Sequence, residues 1–165
     1  MKLPVKTRGF SLIEMVVTVA IIGILAAVAW PVYENQTRKN RRTDGISALQ
    51  NARQALIAFR SDTGSFPTSN GAGNTALENY MPTAPDSPAV DCKSGRGYQS
   101  NRVSCQGYYT IAVTSTDANG NTFTLTATPQ GIFSDAECGS LTLDHLGTKG
   151  YTSGTPNLRR RCWAE

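Results

Sequence analysis

From Phe10 to Val32 the chain runs 23 residues with a single charge, Glu14. A helix that crosses a bilayer needs roughly 20 mostly apolar residues, so this run is long enough to span one. Lys2, Lys6 and Arg8 precede it. By the positive-inside rule they hold its start in the cytoplasm, which places the rest of the chain outside. A rival reading is a secretory signal peptide cut after Ala27-Val28-Ala29. That accounts for the basic start and the small residues. It does not account for Glu14, and the apolar run exceeds the usual ~7–15 residues of a signal peptide.

Beyond Pro31 the helical signal continues. Ile46, Leu49, Ala52, Leu56 and Phe59 recur at steps of three and four and mark one face of an amphipathic helix. Arg41, Arg42, Asp44, Gln50, Asn51, Gln54 and Arg60 supply much of the polar remainder, and Gly64 is a stop signal. One helix over residues 10–62 would measure roughly 80 Å. Its second half needs a partner to cover the apolar face. The chain therefore divides into a basic leader (1–9), a hydrophobic helix (10–32), an amphipathic helix (33–64) and a globular head (65–165).

The head reads as loop-rich and β. The stretch from Ser69 to Asn74 reads as irregular and Thr75–Tyr80 as a short helix, with prolines at 67, 82, 85 and 88 arguing against more. Tyr108–Ser115 alternates and is rich in β-branched residues. Asp117–Asn121 holds an Asn-Gly turn signal. In Thr122–Pro129, Phe123, Leu125 and Ala127 alternate with threonines to give one apolar face, and Gly139–Gly147 supplies another short strand and turn. These segments predict an α+β fold, a long N-terminal helix packed on an antiparallel sheet of three or four strands. The formal charge of +4 misleads, because without residues 1–9 there are 13 cations against 12 anions. Overall charge is then no argument for nucleic acid or acidic partners.

The sequence RGFSLIEMVVTVAIIGILAAVAWPVY resembles the N-terminus of a type IV pilin or a related pseudopilin. A basic leader ends in Gly9, Phe10 follows, and Glu14 is the fifth residue after the glycine. Gly23 and Pro31 also stand where the family usually has them. The runs FTLTATPQG and CGSLTLDHLG and the terminal CW are similar to heads of type IVa pilins, most of all to the minor-pilin branch. The resemblance implies cleavage between Gly9 and Phe10 by a prepilin peptidase, and N-methylation of Phe10. It implies subunit assembly through Phe10, Glu14, Gly23 and Pro31. A lone carboxylate in lipid or an apolar bundle costs about 2.5–3.5 kcal/mol on insertion scales. Cleavage creates a counter-charge, the Phe10 amine. Glu14 could meet that amine on a staggered neighbour, meet its own one turn back, or snorkel to the membrane surface. Pro31 denies the Ala27 carbonyl its helical partner and Gly23 is a second weak point. Residues 23–31 are thus open to unwinding in a filament or to a simple kink.

Four cysteines, Cys92, Cys105, Cys138 and Cys162, form no CxxC pair and have no histidine cluster beside them, which argues against zinc. Three pairings are open. Cys92–Cys105 with Cys138–Cys162 is favoured because each closes a local loop, and the second encloses the C-terminal region as in pilins generally. His145 is alone, suited to a surface or packing role, and no catalytic constellation is visible, so the chain does not read as an enzyme. Asp135, Glu137 and Asp144 have the oxygen chemistry for calcium, but their spacing fits no EF-hand loop; no cofactor or metal is expected. Arg159, Arg160 and Arg161 are either a solvated tail or a patch for DNA phosphates. Arg38, Lys39, Arg41 and Arg42 either meet lipid headgroups or solvate the helix.

The resemblance implies a structural subunit of a type IV pilus, held in the bacterial inner membrane with its head in the periplasm and then drawn into the extracellular filament. Its partners would be other pilins, the prepilin peptidase, the assembly machinery and, for a binding head, DNA. A minor pilin is the leading expectation. The alternatives are a major pilin, a type II secretion pseudopilin, and a DNA-binding or adhesive minor pilin.

Overall fold

The apolar run and the amphipathic stretch after it lie in one helix, α1, Leu12–Thr63. A computed structural model describes residues 10–81, 98–99, 102–153, 155 and 157–163. Helix α1 continues through Gly23 and Pro31, so neither unwinds it in the single chain. It stops where the sequence signals. Gly64 takes φ +86°, a conformation that costs glycine little, and its N–H caps the Arg60 carbonyl at 2.8 Å.

The chain forms two compact units that divide after Thr37. In the first, every large hydrophobic side chain from Phe10 to Tyr33 is exposed. Thr18, a hydroxyl inside the apolar run, donates to the Met15 carbonyl at 2.8 Å and so satisfies itself within the helix. By length and composition this stretch can cross a membrane.

In the second unit the predicted helix face is the floor of the core. Leu49, Ala52 and Leu56 are fully buried, joined by Ala48 and Ala55, while Ile46 and Phe59 pack at the edge. Over them, among the described residues, lies an antiparallel meander of six strands in sequence order: β1 (Tyr98–Gln99), β2 (Val103–Ser104), β3 (Tyr109–Thr116), β4 (Phe123–Pro129), β5 (Leu141–Asp144) and β6 (Lys149–Tyr151). The helix-on-sheet architecture is the expected one. The sheet exceeds the expected three or four strands by including β1, β2 and β6, whose two or three residues each are too few to show alternation in sequence. Pairing Ile111 with Ala127 and Val113 with Leu125, then Leu125 with Leu143 and Ala127 with Leu141, puts the alternating apolar residues on one face. The threonines of β4 fall on the other. The turn at Asp117–Asn121 forms as expected. Gly120 N–H donates to the Asp117 carbonyl at 3.1 Å, and Asp117 Oδ1 accepts from the N–H groups of Asn121 and Thr122.

One segment differs from expectation. Residues from Asn70 to Asn74 are not irregular but form the first half of α2 (Asn70–Tyr80). Two glycines mask the helix in sequence, yet Ser69 caps it by accepting from Ala72 N–H at 3.2 Å. Gly73 is there for contact, since a Cβ would sit 2.8 Å from Val113. Asn74 Oδ1 accepts from Val113 N–H at 2.9 Å and Asn70 donates to the Thr114 carbonyl at 3.0 Å. They fasten α2 to β3 where its register with β4 shifts between Val113 and Ser115.

Candidate functional site

The basic C-terminal run lies on α3 (Arg159–Cys162). A four-residue helix has little stability of its own, so the contacts around it position these arginines. Cys162 is bonded to Cys138, the expected pairing. Trp163 is buried and its indole N–H donates to the Gly150 carbonyl on β6 at 2.8 Å. The Lys149 ammonium lies 5.5 Å above the centre of the same indole. Tyr151 receives the Leu158 N–H on its hydroxyl and donates to the Thr155 carbonyl. Arg159 and Arg160 are left exposed, beside a strand that carries Lys149.

Arg161 is engaged. Its guanidinium lies 2.9 Å from Glu137. Glu137 in turn holds Arg42 at 2.7 Å. Arg42 is buried, and it grips Asp135 through a two-pronged contact, Nε to Oδ2 at 2.6 Å and Nη2 to Oδ1 at 2.7 Å. Asp135 Oδ1 also accepts from Cys138 N–H at 3.2 Å. Hydrogen bonding to Asp135, opposed by burial and then aided by Glu137, drives the Arg42 pKa above its ordinary value. Two cations and two carboxylates therefore neutralise one another around the Cys138–Cys162 bond.

This arrangement corrects one expectation. Arg42 belongs neither to the polar remainder of the helix nor to a headgroup-binding cluster. Asp135 and Glu137 bond to Arg42, while Asp144 Oδ1 accepts from Thr148 N–H in the β5–β6 turn. Among the described residues no group of three or more acidic, histidine or cysteine side chains is placed to hold a metal ion. Asp44 is buried as well. It accepts from Ser104 Oγ at 2.5 Å and Gln106 N–H at 3.0 Å, and Ser104 Oγ accepts from Tyr109 N–H, so it pins the β2–β3 connection to α1. A sequence signal existed for both: Arg42, Gly45, Leu49, Ala52 and Leu56 continue the steps of three and four, and Asp44 stands four before Ala48.

His145 packs near the rings of Phe66 and Phe123, at 6.5 and 6.2 Å, and its carbonyl accepts from Arg53. Arg41 stacks over Tyr108 and Phe133 at 5.0 and 5.3 Å; Arg38 and Lys39 are exposed. Cys105 is disulfide-bonded; Cys92, and with it the expected Cys92–Cys105 pairing, lies outside the described residues, as does Gly9. Phe10, Glu14, Gly23 and Pro31 all lie on the exposed N-terminal stretch, and nothing stands within 4 Å of a Cβ added at Gly23.

A family model described as type IV minor pilin ComP, DNA uptake sequence receptor, matches residues 31–142. The chain belongs to the type IV minor pilin family. The prokaryotic N-terminal methylation motif matches residues 5–30 of this minor pilin. It is 31% identical over 156 residues to the type IV major pilin protein PilE1 of Neisseria gonorrhoeae, covering 90% of this chain and 65% of that one. It is 35% identical over 69 residues to the fimbrial protein EcpC of Eikenella corrodens, covering 42% and 45% of the two chains. Prepilin peptidase-dependent protein D of Escherichia coli strain K12 is 38% identical over 69 residues, 42% and 47% of the two. The matched stretch spans less than two thirds of each relative's length. A location at the membrane and in the pilus is typical of the family.

Proposed function

We propose that this minor pilin is a subunit of a type IV pilus whose head binds DNA for uptake. The observation that carries the reading is the match of the DNA uptake receptor family across residues 31–142. The N-terminal motif supports the assembly half. Cleavage between Gly9 and Phe10 and methylation of Phe10 yield a subunit anchored in the inner membrane by its apolar helix. In the filament Glu14 pairs with the Phe10 amine of a neighbouring subunit, which sets register because an unpaired charge in the apolar bundle is costly. Gly23 and Pro31 are the points where the helix gives way on packing.

For the DNA half, phosphates need clustered cations. Arg159 and Arg160 are exposed on α3, and Lys149 lies beside Trp163. Arg161 contributes less, because Glu137 already neutralises it. The test is DNA binding by the full-length protein in detergent, followed against salt. Changing Arg159 and Arg160 to Ala is expected to weaken binding and to reduce the salt slope by about 2, since each phosphate that is no longer neutralised lowers it by roughly one. Binding with an unchanged slope would place the DNA elsewhere on the head. No binding by the unaltered protein would leave a structural subunit only.

A further inference from the structure

We propose that Trp30, Tyr33 and Glu34 form an anchor for the phospholipid headgroup layer, fixing how deeply the subunit sits in the membrane before assembly. The twenty residues from Phe10 to Ala29 rise about 30 Å as a helix, the thickness of a bilayer's hydrocarbon core. Trp30 is the next residue, so it falls at the far edge of that core. Tyr33 and Glu34 stand three and four positions on and share its face. Trp30 is 70% exposed and Tyr33 71%. A Trp and a Tyr with an apolar body and one polar edge favour that boundary over either hydrocarbon or water.

The hydrogen bonding has the matching polarity. The Trp30 indole N–H donates to Glu34 Oε1 at 3.1 Å, so the polar edge of the ring turns along the helix toward the first charge after Glu14. Arg38 and Lys39 follow one turn later, both exposed, at a height where lipid phosphates attract cations. Within a dozen residues the helix passes from apolar, through an aromatic pair with a carboxylate, to exposed cations. That order matches hydrocarbon, interface and headgroup phosphate.

The test uses the full chain in phosphatidylcholine–phosphatidylglycerol vesicles that carry lipids brominated either near the headgroup or near the bilayer centre. A Trp30→Phe variant, whose remaining indole is the buried Trp163, supplies the background to subtract. Trp30 fluorescence is expected to be quenched severalfold more by the shallow label than by the deep one. In a Glu34→Leu variant that ratio should fall, as the helix sinks. Stronger quenching by the deep label, or none by either, would overturn the anchor; the latter is what burial of Trp30 against a second copy would give. A ratio unchanged by Glu34→Leu would overturn the part assigned to Glu34.

Discussion

Arg42 holds a full charge in a nearly dry setting, its side chain 5% exposed, and it is tolerated there because Asp135 and Glu137 meet it with three short hydrogen bonds. Removing one partner of such a pair strands the others. Arg42→Ala is therefore expected to cost about 3–5 kcal/mol, read as a drop in the denaturant midpoint. Arg42→Lys should recover only part of this, since an ammonium lacks the planar fork that fits a carboxylate. Tyr109 makes a different prediction. Burial, and next the charge of Asp135, pushes its phenol well above the ordinary range. The folded state thus favours the neutral ring. Its contribution is fully present below about pH 10, the ordinary tyrosine value, and is lost as pH climbs from there toward the folded pKa. The melting temperature should fall in alkali, and Tyr109→Phe should flatten that fall. Equal slopes for both proteins would show that Tyr109 does not govern the transition.

At the scale of elements, α1 and the sheet approach closely at Gly45, where a Cβ would meet the Tyr109 ring at 2.7 Å. The ring is fully buried, so it has little room to yield. Gly45→Ala should destabilise the head by about 1–3 kcal/mol through overpacking, measured by chemical unfolding, although alanine is the better helix former. Gly23→Ala has open space around it and should leave head stability unchanged. The steps of three and four gave α1 and its core face correctly, and the alternation of Phe123, Leu125 and Ala127 gave β4. The start of α2 was hidden, because Gly71 and Gly73 read as loop until Val113 stands against Gly73. Strands β1, β2 and β6 were hidden because two or three residues carry no period.

For the whole molecule, the proposed function assigns assembly to the exposed apolar stretch and recognition to the head. Glu14→Ala should leave the protein in the membrane but lower its share in filaments sheared from cells, counted by mass spectrometry of its N-terminal peptide. Unimpaired incorporation would remove charge pairing from the assembly account. The same spectra report whether the mature chain starts at methylated Phe10.

What the sequence determined alone was whatever a local pattern can carry. A 23-residue apolar run with one acid, a basic leader ending in Gly9, and helical and strand periods are properties of neighbours along the chain. What only the tertiary structure decided was the fate of the charges. Arg42 finds Asp135 93 residues away, Glu137 is shared between Arg42 and Arg161, and Asp44 meets Ser104 across 60 residues. No local period encodes such partners. Whether a charged side chain is solvated or buried depends on which distant carboxylate or hydroxyl the fold brings within hydrogen-bonding reach, and here that choice leaves Arg159 and Arg160 exposed while Arg161 is held by Glu137.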